Sequence, residues 1–250
     1  VVILTSFDTG SLDQVRLTSV LVAVWFGLFS LPLFLWTPDT PGRATSWRRA
    51  IGEGLGQLLS SLRQIRRHGD IARFLLARLF YNDGLVTLFA VGGIYAKVTF
   101  GMSTAEVLQF GVAINVTAGL GAAAFAWIDD RIGPKRTILI SLVGLIAFGA
   151  AVLTAETTTM FLVWGSALGI FVGPVQAASR SMMAHLAPKG LETEMFGLFA
   201  FSGKATAFVG PFVFGAVTAV TASQRWGMAT ILVFFALGAA LLLFVADARR

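Results

Sequence analysis

Between residues 137 and 155 the chain reads TILISLVGLIAFGAAVLTA, without a charged side chain. One glutamate later, residues 157–179 read TTTMFLVWGSALGIFVGPVQAAS, again uncharged. A helix of about 20 apolar residues crosses the roughly 30 Å hydrocarbon core of a bilayer. Two such runs back to back read as antiparallel spans joined by a tight turn. Working outward, Leu17–Trp36, Val107–Ile128 and Trp226–Ala246 are also uncharged. Phe74–Ala96 is interrupted by Arg78 and Asp83, and Met195–Gln224 contains Lys204. The fold class expected is an all-α polytopic membrane protein with seven transmembrane helices.

Composition agrees. Of 250 residues, 56% are hydrophobic and 13% charged, whereas soluble domains carry about 25% charge. So few charges cannot cover a soluble surface of this size, which excludes a soluble enzyme, a disordered tail and a disulfide-stapled secreted domain. The chain has no Cys, and its two His, His68 and His185, are far apart. No HExxH, P-loop or dinucleotide fingerprint is present. The expectation is therefore no enzyme, no cofactor and no metal.

The net charge is +6, and its distribution is topological. Arg43, Arg48, Arg49, Arg63, Arg66, Arg67, Arg73, Arg131, Lys135, Arg136, Lys189, Arg249 and Arg250 fall on one side of the spans. Arg16, Lys97 and Arg225 fall on the other. Excess Lys and Arg mark the cytoplasmic side, so the long loop and the C-terminus are expected in the cytoplasm and nucleic acid is not expected as a partner. Within residues 37–71, Trp47, Ile51, Leu55, Leu58, Leu62 and Ile65 recur at helical spacing beside Arg48, Arg49, Arg63, Arg66 and Arg67. That pattern predicts an amphipathic helix on the membrane surface, with lipid headgroups as its partner.

Charges at mid-membrane are costly, and they mark pathways or pairs. At about 1.5 Å per residue, Asp83 and Lys204 both lie roughly 13–15 Å in from the cytoplasmic ends of their helices. Equal depth and opposite sign predict an ion pair, either cavity-lining or purely structural. Arg78 and Arg180 are shallower, so snorkelling to the headgroups competes with a pathway role. Asn82 shares a helix face with Arg78, Tyr81 adds a polar tip, and Asn115 lies near mid-depth in the third span. Gly165, Gly169 and Gly173 form a small-residue stripe that admits a close neighbour. Pro174 follows Gly173, and Pro211 follows Gly210. Each Pro removes a backbone hydrogen bond and permits a kink.

Asp130-Arg131-Ile132-Gly133-Pro134-Lys135-Arg136 lies in a short loop between the third and fourth spans. It resembles the signature loop of the major facilitator superfamily, with Ala126, Asp129 and Pro134 departing from the usual pattern. Phe80–Gly84 (FYNDG), Gly173–Ser181 (GPVQAASRS) and Phe196–Thr206 (FGLFAFSGKAT) resemble the vacuole-effluxer branch of that superfamily. The resemblance extends from about Leu17 to the C-terminus. It implies gating roles for Asp130, Arg131, Gly133, Lys135 and Arg136, and it adds Gln176 to the pathway residues. It also implies twelve helices, of which these seven fit the sixth to twelfth. Residues 1–36 would end an N-terminal half with one transmembrane helix. Residues 37–72 would form a central cytoplasmic loop, and residues 73–250 a six-helix C-terminal half. The chain begins with Val, and reads as a fragment whose partner is the missing N-terminal half of the same transporter.

The function so implied is a secondary transporter moving small solutes by alternating access. Amino-acid export, a coupling proton and the bacterial inner (plasma) membrane are implied with it. The alternative is a non-transporting membrane scaffold or sensor of the same fold. The charge distribution makes a direct prediction about sidedness. A Cys introduced at Thr158, the first in the chain, should be labelled only from the extracytoplasmic side; labelling only from the cytoplasm would overturn the assignment.

Overall fold

The computed structural model describes residues 12–37 and 69–247, with side chains from residue 19 onward in the first helix. The amphipathic helix expected within residues 37–71 falls largely outside the described residues. The chain divides into two compact units, residues 1–57 and 58–250. In the first, α1 runs Leu12–Trp36 and carries Pro32. Its Trp25 and Phe29 rings lie 4.4 Å apart, one turn along the helix.

The second unit contains α2 (Gly69–Phe100), α3 (Thr104–Ile132), α4 (Pro134–Leu153), α5 (Thr158–Leu186), α6 (Glu192–Ala205), α7 (Val209–Thr221) and α8 (Gln224–Leu243). Among the described residues, seven stretches are long and apolar enough to cross a membrane, with α6 and α7 together making one of them. The protein is an integral membrane helical bundle.

The helix boundaries follow local chemistry. Ser103 caps α3 in a capping box: its Oγ accepts from Glu106 N–H at 3.3 Å, and the Glu106 carboxylate accepts from Ser103 N–H at 2.8 Å. This satisfies two N–H groups that a helix start leaves unpaired. Between α3 and α4 the chain turns on Gly133, whose φ of 89° suits glycine. Pro134 then starts α4, where its missing N–H costs nothing. Thr157, which the hydropathy window counts as membrane, is the N-cap of α5 and accepts from Met160 N–H at 3.2 Å.

Two expectations are corrected. First, α2 begins at Gly69, so residues 69–72 belong to the helix and not to the loop. Its 32 residues reach about 48 Å at 1.5 Å per residue, longer than the hydrocarbon core. Second, the sixth window is not one helix. It breaks at residues 206–208 into α6 and α7, and Pro211 sits in the first turn of α7. A first-turn N–H has no partner within its own helix, so proline fits there. α5 continues through Pro174 as one helix, within which a proline permits a kink.

The core is built where small residues let helices meet. α3 lies on the stripe of α5. A β-carbon on Gly173 would strike the Ala118 carbonyl, and one on Gly169 would lie 3.1 Å from the Ile114 carbonyl and against Thr117. From the opposite side, a β-carbon on Gly121 would strike the Ile170 carbonyl. Backbone cannot move aside as a side chain can. α2 similarly meets α8, where Gly238 lies under Tyr81 and Gly84 under Phe235. Phe74, Tyr81, Tyr95, Ile138, Leu142, Met182, Met183 and Phe235 are fully buried between these helices.

Overpacking of this kind costs about 1–3 kcal/mol. For a domain of this size each kcal/mol lowers Tm by about 2–4 °C. Gly169→Leu should therefore lower the Tm of the detergent-solubilised protein by about 2–12 °C. Gly119→Ala, on α3 with open space around it, should leave Tm unchanged or slightly raised. Equal Tm values for Gly169→Leu and the parent would refute the close approach.

Candidate functional site

The break in the sixth span leaves two helix ends inside the membrane-spanning bundle. α6 ends with partial negative charge and α7 begins with partial positive charge. Within the turn Ala207 N–H bonds the Lys204 carbonyl at 3.3 Å and Val209 N–H the Thr206 carbonyl at 2.8 Å, while the Gly203 carbonyl and the Gly210 N–H turn to other partners. In lipid such groups must find protein partners. One face of α2 supplies them. Further inside α6, Arg78 Nη1 donates to the Phe199 carbonyl at 2.7 Å and to Ser202 Oγ at 3.0 Å. Its guanidinium also stacks 3.6 Å from the Phe199 ring centroid. Asn82 Nδ2 donates to the Gly203 carbonyl at 2.9 Å. One residue further, Asp83 Oδ2 accepts from Gly210 N–H at 2.8 Å, at the start of α7.

Asn82 thus bonds the carbonyl end of one half-helix and Asp83 the N–H end of the next, with Arg78 bracing the last turns of α6. Two glycines make room for this. A β-carbon on Gly203 would lie 2.7 Å from Arg78 Nη1, and one on Gly210 would strike Thr87 and lie 3.1 Å from the Asp83 carbonyl. Thr87 Oγ1 in turn donates to that carbonyl at 2.7 Å.

The expected Asp83–Lys204 ion pair is not formed. Asp83 is 1% exposed and bonded to backbone, while Lys204 is exposed in the last turn of α6. There the negative end of the half-helix accommodates its charge without a carboxylate. Similar depth placed the two residues on one level but did not turn them toward each other. Arg78 does not snorkel to the headgroups either, because its guanidinium is directed across the bundle to α6.

Five of the sequence-selected residues meet in one small polar pocket of about 60 Å³ between α2, α5 and α6: Arg78, Tyr81, Asn82, Gln176 and Arg180. Tyr81 is 2% exposed, and its hydroxyl shares a 2.7 Å hydrogen bond with buried Ser179. Asn115 is elsewhere. Its amide bonds back to the Gly111 carbonyl at 2.8 Å, and it borders a larger, mostly apolar pocket of about 210 Å³ with Phe89, Phe110 and Phe235. Sequence reasoning passed over Ser179, Ser202, Gly203 and Thr87. Ser202 and Gly203 lie beside Lys204 in an apolar window, and the signal for a helix break there was Gly210-Pro211.

The loop that resembles a gating signature lies at the other polar centre. Lys135 Nζ donates to the Leu243 carbonyl at 3.0 Å and to the Val245 carbonyl, capping the end of α8. Arg136 Nε lies 3.8 Å from Asp247 Oδ2. Ala246 N–H donates to Asp70 Oδ1 at 3.2 Å, which brings the start of α2 to the same place. Arg131 stacks over Trp127 of its own helix at 3.4 Å, and Asp130 lies in the last turn of α3.

Removing the Asp83 carboxylate leaves the buried Gly210 N–H without a partner, which costs about 1–3 kcal/mol. Asp83→Ala should lower stability by that amount, whereas Asp83→Asn keeps an acceptor and should lose less. Lys204→Met should leave stability unchanged. The check is thermal unfolding of the three variants in detergent. A Lys204→Met loss equal to that of Asp83→Ala would restore the ion pair.

Comparison with known proteins closes the assignment. Residues 1–250 match the model of the family described as "Vacuole effluxer Atg22 like". Autophagy-related protein 22 of Cryptococcus neoformans var. neoformans serotype D is 26% identical over 249 residues, covering 90% of this chain and 43% of that protein. Autophagy-related protein 22 of Candida glabrata is 31% identical over 183 residues, covering 69% of this chain and 33% of that protein. An uncharacterized MFS-type transporter, YxiO of Bacillus subtilis, is 23% identical over 238 residues, covering 93% of this chain and 54% of that protein. The chain thus spans about half the length, or less, of these relatives. It belongs to the vacuole effluxer Atg22-like family, within the major facilitator type of membrane protein.

Proposed function

We propose that this chain forms one half of a secondary transporter that exports amino acids or similar small solutes by alternating access. The observation that carries the proposal is the sixth span, broken between α6 and α7 with both ends held by α2. Discontinuous helices at mid-membrane are how such transporters build solute and ion sites. The hold is polar and local, so it can be exchanged for other partners as the half-helices move. The family description and the MFS-type relative support the same reading.

In this reading Asp83 carries the coupling proton. One carboxylate oxygen holds the Gly210 N–H, and the other, Oδ1, is buried with no hydrogen-bond partner among the described residues. A proton on Oδ1 leaves the α7 contact in place. Lys204, Gln176, Arg180 and Asn115 are exposed at membrane depth and line the solute pathway, with a second helical half as the opposite wall. Asp130, Arg131, Gly133, Lys135 and Arg136 form the gate at the cytoplasmic end, where Lys135 and Arg136 hold the segment that ends α8. The C-terminus faces the cytoplasm, and the basic loops set that orientation.

The experiment is transport in proteoliposomes, using radiolabelled amino acids with and without a pH gradient. The parent protein should accumulate at least one amino acid uphill when the gradient is imposed. Asp83→Asn should abolish the uphill phase yet retain exchange of labelled for unlabelled solute. Uphill transport by Asp83→Asn at the parental rate would remove Asp83 from coupling. No amino-acid flux by the parent would overturn the substrate class.

A further inference from the structure

We infer that the pocket between α2, α5 and α6 is an oxyanion site, shaped for the carboxylate of a small solute and centred on Arg180 with Arg78 behind it. The inference deepens the transport reading by naming the group that is recognised.

The pocket is built from two matching pairs. Arg78 and Asn82 are one turn apart on α2; Gln176 and Arg180 are one turn apart on α5. Residues four apart share a helix face, so each helix presents one guanidinium and one amide to the same space. Tyr81 and Ser179, bonded to each other, lie between the pairs. No acidic residue lines the pocket among the described residues. Two guanidinium groups facing one cavity repel each other, and an anion between them reverses the sign of that interaction.

The donor inventory points the same way. Arg78 directs one nitrogen, and Asn82 its amide nitrogen, to α6 carbonyls. The side chains of Arg180 and Gln176 make no hydrogen bond or ion pair among the described residues, and both are exposed. The planar donors of Arg180 are left to fork onto an acceptor-only group, and a carboxylate or phosphate matches that geometry in bidentate fashion. About 60 Å³ admits one such group rather than a whole metabolite, so the remainder of the ligand extends outward. A lipid phosphate offers the same chemistry from another source. A lipid phosphate at headgroup depth meets Arg180, about six residues from the end of α5 at Leu186, but not Gln176, about ten residues in, so a solute carboxylate that uses both side chains is preferred.

The test is ligand-induced thermal stabilisation of the full protein in nanodiscs. The probes are the common amino acids, the corresponding α-amides and inorganic phosphate, first in phosphatidylcholine and then with added phosphatidylglycerol. At least one amino acid should raise Tm while its amide does not. Arg180→Gln should weaken that binding about 10- to 100-fold, Arg180→Lys should recover part of it, and the loop variant Lys189→Gln should bind as the parent does. Amides binding as tightly as acids, or Arg180→Gln binding acids with parental affinity, would overturn the site. Stabilisation by phosphatidylglycerol alone would assign the site to a lipid phosphate and overturn the solute carboxylate. No stabilisation by any probe would overturn the site altogether. Flux measured beside binding separates the two proposals. Carboxylate binding that depends on Arg180 but is without flux keeps the site and sinks transport, whereas parental flux in Arg180→Gln keeps transport and sinks the site.

Discussion

A polar backbone group inside a membrane must be bonded to protein, and in this bundle that requirement is most acute where the sixth span stops and restarts. Residues 206–208 interrupt a helix that would otherwise satisfy itself. The two ends are held by polar residues of α2: Asn82 binds the end of α6, Asp83 binds the start of α7, and Arg78 bonds the Phe199 carbonyl and Ser202 further inside α6. The spacing follows from helical geometry. Four residues separate Arg78 from Asn82, and Asp83 is the next residue round. A side chain one rung further on therefore reaches the far side of the break. The glycines at 203 and 210 are part of the same device, since either β-carbon would push α2 away.

The rest of the bundle gives the clamp something to work against. α3 and α5 are locked backbone to backbone through Gly121, Gly169 and Gly173, and α2 and α8 meet closely at Gly84 and Gly238. Against these tightly packed pairs, α6 and α7 bury few side chains: Met195, Leu198, Phe199 and Ser202 on one, Gly210 and Phe214 on the other. Shallow packing on a broken helix, set beside rigid pairs, is an arrangement in which one element can shift while the others hold their shape. The α4–α5 turn and the start of α8 are tied by Arg225, whose Nη2 donates to the Ala155 carbonyl at 2.8 Å. At the opposite end Lys135 ties the end of α8.

Much of this was legible in the sequence, and the part that was not has a physical cause. Hydropathy found the spans because a charge inside lipid is expensive wherever it sits on the helix. The stripe at Gly165, Gly169 and Gly173 was visible because helical periodicity places those residues on one face. The break between α6 and α7 was not visible, because Thr206, Ala207 and Phe208 are as uncharged as their neighbours. Pro211 signalled an irregularity, but the same signal at Pro174 produced no interruption. Asp83 and Lys204 were matched by depth and sign. Depth fixes a height along the membrane normal, whereas an ion pair also needs the two side chains to point at each other.

The failed pair exposes a pattern common to five of the polar side chains that reach between elements. Arg78, Asn82, Asp83, Lys135 and Arg225 each bind a backbone carbonyl or N–H of another helix or of the turn beside it. Two ion pairs of the described residues, Arg73 with Asp70 and Arg136 with Asp247, are at partly exposed helix ends. A buried ion pair requires two charges to be desolvated together, and removal of either strands the other. A charge on a helix end needs only one, because the partner is a dipole that the fold already supplies. For a bundle with a broken span the second solution has a further consequence. In the proposed transport cycle, a half-helix that shifted would take from its α2 side chain a dipole rather than a full opposite charge, and the side chain would need only another dipole or a proton in its place.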